Sequence, residues 1–129
     1  MVYFFIGIGG IIGSLLRYCV SLFTVHTWTD SFPYGTVTAN IVGAYLLSFF
    51  MRKYSVSKKE NNTFMLAVGT GGIGSFTTMS TFSLETVQFL ENDQFLLAFI
   101  YVAVSLIGGL AASYLGLYGI RQKKAGENR

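Results

Sequence analysis

The chain is poor in the residues that build disulfides, metal centres and charged surfaces: one cysteine, one histidine, one proline, and only 12% charged side chains in 129 residues. The lone Cys19 excludes an intrachain disulfide and any cysteine-rich metal site, and His26 adds no metal centre of its own. What is abundant is apolar. Hydrophobic residues make up 52% of the chain and the mean hydropathy is +0.53, too apolar for one soluble domain in a chain too short for several. The composition places the protein in a bilayer. A net charge of +3 raises the question of nucleic acid. The basic residues, however, lie in short stretches between apolar segments, and no soluble domain remains to carry a recognition fold, so no nucleic-acid partner is expected.

Four apolar segments, at about 3–25, 34–51, 63–90 and 95–120, each approach or exceed the ~20 residues a bilayer-crossing helix needs. The expected fold is an all-α membrane protein, a single four-helix transmembrane domain over residues 1–129 with lipid on its outside. The first segment does not read as a cleaved signal, because no basic stretch precedes it, Arg17 interrupts it and no small-residue cleavage site follows. Gly9 and Gly13 give it a G-x-x-x-G spacing, which lets helix backbones approach closely. Eight of the nine basic residues (Arg52, Lys53, Lys58, Lys59, Arg121, Lys123, Lys124 and Arg129) lie after the second segment or in the tail. The stretches after the first and third segments carry Asp30, Glu91 and Asp93 and no basic residue. By the positive-inside rule this predicts a multi-pass protein of the plasma membrane with both termini cytoplasmic.

The chain is organised around GTGGIGSFTTMSTFSLE, from Gly69 to Glu85. Four glycines precede a run of Ser and Thr with no charge until Glu85, a composition unsuited to a plain lipid-facing helix. The third helix is expected to be broken mid-membrane, in two pieces around residues 71–78, with glycine supplying positive φ. Such backbone is tolerated at membrane depth only where protein or a watery cavity satisfies it. Gly69, Gly71 and Gly74 also spell G-x-G-x-x-G, but no βαβ unit surrounds them and the dinucleotide reading fails.

Few polar side chains lie inside the segments, and each has two readings. Arg17 either snorkels to the headgroups or lines an anion vestibule. Asn40 either makes an interhelical hydrogen bond worth roughly 1 kcal/mol or presents its N–H to a pore. Glu85, the only acid within a segment, is either hydrogen-bonded to a neighbouring helix or is the shared site of a proton-coupled cation or drug exporter. Small four-helix exporters carry their glutamate in the first helix, which has no acid here. Thr78, Phe82 and Glu85 fall at i, i+4 and i+7 on one helix face, with Met79 beside them. Hydroxyl and amide donors, together with the positive edge of an aromatic ring, are what a small hydrated anion needs once its water is stripped.

With these residues in view, GGIGSFTTMSTFSLE closely resembles the third-helix signature of the Fluc/CrcB fluoride channel family. GGIIGSLLRY (residues 9–18) and YGTVTANIVGAYLL (residues 34–47) resemble its first- and second-helix motifs, so the likeness spans essentially the whole chain. The resemblance implies a fluoride-selective channel subunit, not an enzyme, that exports fluoride from the cytoplasm and lowers its toxicity. It implies a structural Na+ on backbone carbonyls at the positions of Gly74 and Thr77, oxygen dipoles that suit a hard cation. It matches Asn40 to a pore asparagine, Arg17 to a vestibule arginine, Glu85 to the third-helix glutamate, and Phe82 to the second of two pore phenylalanines. Tyr101 and Ser105 match a polar track on the fourth helix, and Thr78 lies on the same pore face.

Two departures stand out. Met79 replaces the first pore phenylalanine, offering a thioether where the family has a ring edge. The charge bias also fixes one orientation, whereas an antiparallel homodimer must insert both ways. The expected assembly is an antiparallel dimer with an inverted paralogue. A proton-coupled exporter using Glu85 and a non-conducting scaffold subunit remain as alternatives.

Overall fold

A computed structural model describes residues 1–27, 32–55 and 63–118. Among these residues all regular structure is helical and there is no strand. The long helices are α1 (Val2–Thr27), α2 (Tyr34–Ser55) and α6 (Phe95–Tyr118). All three are long and apolar enough to cross a membrane. The third apolar segment is a series of shorter pieces: α3 (Thr63–Leu66), a π-helical stretch (Ala67–Ile73), α4 (Gly74–Phe76) and α5 (Ser80–Glu91). Of the charges that set the expected orientation, Asp30, Lys58, Lys59, Arg121, Lys123, Lys124 and Arg129 lie outside the described residues, as does the end of the fourth segment at 119–120.

The glycines act differently from the expectation of positive φ. No described glycine has positive φ, and Gly74 sits in right-handed helical geometry at φ −61°, ψ −36°. Their use is close approach. A Cβ on Gly9 would collide with the Ala67 carbonyl oxygen, one on Gly13 with that of Gly72, and one on Gly71 with that of Ile6. The G-x-x-x-G of α1 is therefore spent inside the chain, holding α1 against the π-helical stretch backbone to backbone. There the helix is wound wide, the Gly74 N–H reaching back five residues to the Gly69 carbonyl. Single π turns of this kind recur at functional sites.

Gly13→Ala forces a methyl into backbone that cannot yield, and an overpacked site costs typically 1–3 kcal/mol. Gly7 has nothing within 4 Å of its Cβ position, so Gly7→Ala should be neutral or stabilising. A lower midpoint of thermal unfolding for Gly13→Ala, and not for Gly7→Ala, is the expected result in detergent.

On the other side of the bundle α6 packs along α2. A Cβ on Gly108 would press into Ile41, and one on Gly116 into the backbone of Tyr45 and Phe49. The core gathers Val37, Phe89, Ala98 and Tyr101, with Phe32, Ile41, Phe82 and Leu97 against it. Tyr101 is completely buried. Its ring stands 5.0 Å from Phe82, 5.6 Å from Phe32 and 5.9 Å from Phe89 between centroids.

α5 stops in a Schellman arrangement. Gln94 N–H donates to the Phe89 carbonyl at 2.8 Å and Asp93 N–H to that of Leu90 at 3.2 Å. Asp93 itself takes φ +59°, the position where glycine is favoured because it has no Cβ to clash. Asp93→Val should therefore cost about 1–2 kcal/mol, while Asp93→Gly should be tolerated or slightly stabilising, both read from thermal unfolding.

Candidate functional site

The polar residues of the sequence converge where helical geometry stops. Thr77 is extended at φ −79°, ψ 157°, although its N–H still donates to Ile73 O at 3.1 Å. Its hydroxyl donates to the carbonyls of Ile73 and Gly74, each at 3.3 Å. The turn carries the backbone of Thr78 out of the helical ladder, and Asn40 of α2 receives it. Asn40 Nδ2 donates to Thr78 O at 2.9 Å, and Thr78 N–H donates to Asn40 Oδ1 at 2.8 Å. A carboxamide offers a donor and an acceptor side by side, which is what one exposed peptide unit requires. Asn40 therefore makes the interhelical bond, and one N–H of its amide is left over from this pair of bonds.

The buried Thr78 hydroxyl donates to Thr81 Oγ1 at 3.0 Å and accepts from Thr81 N–H at 3.2 Å. It thereby satisfies one of the backbone donors that the start of α5 leaves open. Met79, next in the chain, is 72% exposed.

One helix turn beyond Phe82, α5 places Glu85 between two partners. Thr36 Oγ1 of α2 donates to Glu85 Oε1 at 2.9 Å, and the Tyr101 hydroxyl of α6 donates to Oε2 at 2.5 Å. Three elements are thus tied at one carboxylate. Glu85 also lines a polar cavity of about 600 Å³ with Gln88, Asn92 and Gln94. Arg17 lies in a second, smaller cavity of about 140 Å³ with Ser14, Ser21, Thr36, Thr78 and Thr81. The guanidinium's residue is half-buried among hydroxyls. Thr36 borders this cavity while its hydroxyl serves Glu85, so the cationic and anionic residues sit on either side of it.

Ser105 lies one turn after Tyr101 on α6, its Oγ buried with no hydrogen-bond partner among the described residues. Gly74 is exposed, its carbonyl accepting from the Thr77 hydroxyl, and Thr77 is extended beside it. Backbone oxygens are the kind of donor a hard cation takes.

The structure thus joins Asn40 to Thr78, joins Phe82, Glu85 and Tyr101, and puts Arg17 beside Thr78. Thr36 and Thr81 complete the cluster and were not singled out from sequence. The available signal was spacing, Thr36 being four residues before Asn40 on one face of α2 and Thr81 three after Thr78.

Residues 4–117 match the model of the family described as CrcB-like protein, Camphor Resistance (CrcB). The chain belongs to the CrcB family. Among curated CrcB relatives, the fluoride-specific ion channel FluC 1 of Bacillus cereus is 41% identical over 117 residues, 90% of this chain and 85% of that protein. FluC 2 of Geobacillus kaustophilus is 41% identical over 116 residues, 90% of each chain. FluC 1 of Listeria innocua is 36% identical over 112 residues, 87% of this chain and 91% of that protein. The CrcB match includes every residue of the cluster around Asn40, Thr78 and Glu85.

Proposed function

We propose that the chain is a subunit of a fluoride-selective channel, through which fluoride leaves the cytoplasm down its electrochemical gradient without covalent chemistry, lowering its toxicity. The observation that carries this reading is the Asn40–Thr78 clamp at the interruption of the third segment, set beside the Arg17 cavity and its six hydroxyl-bearing neighbours. Together these are hydrogen-bond donors and one fixed cation at the depth of a membrane. An anion stripped of water needs such donors. The names of the relatives agree in chemistry. In this reading Asn40, Thr78, Phe82, Ser105 and Tyr101 lie along the ion path, with Met79 in place of a ring edge, and Arg17 gathers the anion. Glu85 orients Tyr101 and Thr36.

Thr63–Glu91 acts as the fourth, interrupted crossing, and both termini lie in the cytoplasm. A Na+ on the carbonyls of Gly74 and Thr77 supplies fixed positive charge that steadies the interruption. Gly74, Ser80 and Ser83 are exposed on this segment, and polar backbone at membrane depth must be covered by protein. That favours a second subunit on this face, antiparallel to the first.

The test is fluoride efflux from liposomes loaded with the chain and its partner. Passive flux that ignores a proton gradient and excludes chloride is expected. Cation movement driven by the proton gradient, and lost in Glu85→Gln, would instead make the protein an exporter.

A further inference from the structure

Tyr101 is held by rings from two separate parts of the chain. Phe82 and Phe89, at 5.0 and 5.9 Å between centroids, ride on α5 together with Glu85. Phe32 comes from the segment just before α2, its ring 5.6 Å from that of Tyr101 and perpendicular to it at 89°. It also stands 4.9 Å from the ring of Tyr34 and 6.5 Å from that of Phe89. Phe32 has no part in the ion path described above.

Its direction is set by the chain around it. Tyr34 N–H donates to the Phe32 carbonyl at 2.9 Å, closing a tight turn with Pro33 at its centre. A proline ring locks φ at about −65°, close to the about −75° of an inverse γ-turn. The Pro33 carbonyl then accepts from Val37 N–H at 3.3 Å as α2 begins. The turn sends Phe32 against the core, while Pro33 faces the polar cavity that Glu85 lines. Two residues after Tyr34, Thr36 donates to Glu85 directly. The start of α2 therefore meets both sides of one hydrogen bond, with Thr36 on the carboxylate that accepts and Phe32 on the ring whose hydroxyl donates.

A tyrosine ring turns about only two side-chain torsions, so the walls around the ring decide where its hydroxyl points. Phe82 and Phe89 belong to the helix that carries Glu85, and Phe32 is the wall that ties the ring to α2. We infer that Phe32 is a positioning residue, whose ring holds the Tyr101 hydroxyl on Glu85 and so keeps Tyr101 in place along the ion path. The consequence for transport rests on the channel reading above; the positioning itself does not.

The first measurement is thermal unfolding, in detergent, of the full chain as wild type, Phe32→Ala, Tyr101→Phe and the double variant. Tyr101→Phe removes the hydroxyl and keeps the ring, so packing of Phe32 on that ring is the same in both backgrounds. Only a role in aiming the hydroxyl makes the two substitutions interact. Tyr101→Phe should lower the midpoint in the wild-type background and lower it much less once Phe32 is alanine. An equal drop in both would overturn the proposal. Phe32→Leu, which keeps apolar bulk without a flat ring, takes the place of Phe32→Ala where that variant does not fold and is read in the same way.

The second measurement is fluoride efflux from liposomes holding the chain and its partner. Phe32→Ala should slow efflux roughly three- to tenfold, the worth of one aromatic pair expressed as a rate ratio, and cause no further loss in a Tyr101→Phe background. The same fold loss in both backgrounds would make Phe32 plain packing and overturn its role. Absence of efflux from the unmodified pair would sink the channel reading alone, with the unfolding comparison still deciding for or against Phe32.

Discussion

Asn40→Asp should abolish fluoride flux at neutral pH while leaving a protein that still folds. The substitution keeps the oxygen that accepts from Thr78 N–H but replaces Nδ2, the donor to Thr78 O at 2.9 Å, with a second acceptor. Two oxygens then face one another, and a negative charge stands where an anion has to pass. Leaving a buried group without its partner costs about 1–3 kcal/mol, more where charge is involved. Protonation of the new carboxyl restores a donor and removes the charge. Lowering the pH should therefore recover part of the flux in this variant and have no such effect in Asn40→Ala, which leaves both Thr78 groups bare. The measurements are fluoride efflux from proteoliposomes across pH and thermal unfolding of each variant. Wild-type efflux from Asn40→Asp at neutral pH would remove Asn40 from the ion path.

That pairing shows what the sequence could and could not disclose. Asn40 stood out because it is a strongly polar side chain in an apolar segment. Its partner, 38 residues away, is a backbone peptide released by the extended conformation of Thr77, and backbone groups leave no mark in composition. Helical spacing puts Phe82 and Glu85 one turn apart on α5, whereas Thr78, expected on the same helix face, lies before that helix in the non-helical turn. The partners of Glu85 on α2 and α6 come from tertiary packing, so Thr36, one threonine among several, carried no distinguishing signal.

The G-x-x-x-G of α1 was legible as a close-approach surface and is one. The glycines from Gly69 to Gly74 were expected to supply positive φ, yet they stay right-handed, and the departure from α-helical geometry comes from π winding and from Thr77. Glycine permits several departures from the α-helix, and the contact with the α1 backbone at Gly9 and Gly13 decides among them. Three long helices could be read from hydropathy alone; the pieces between Thr63 and Glu91 could be placed only with α1 beside them.

Expressed alone, the chain should fail to rescue a fluoride-sensitive cell, and co-expression with an inverted paralogue should restore growth. The charge distribution sets the first half of this expectation. Arg52, Lys53, Lys58, Lys59, Arg121, Lys123, Lys124 and Arg129 all favour the cytoplasmic side, with Asp30, Glu91 and Asp93 opposite, so every copy should insert the same way. The second half rests on the proposed antiparallel dimer. On the interrupted segment Gly74, Met79, Ser80 and Ser83 are exposed, and a backbone turned out of its helix at this depth needs a protein neighbour. An antiparallel neighbour requires a chain of opposite bias, which this one cannot provide for itself.

Met79 then acquires a specific consequence. In a dimer of unlike subunits each ion path draws on different side chains, so Met79→Phe, which restores a ring edge at an exposed position, should change flux through one path and leave the other as it was. Single-channel recording of the co-expressed pair, before and after Met79→Phe, reads this as a change in one conductance component. Tags at both termini, probed from outside intact cells, should be inaccessible in this chain and accessible in the paralogue. Rescue by this chain alone, with both of its tags shielded in every copy, would rule out the inverted pair and require subunits that assemble in parallel.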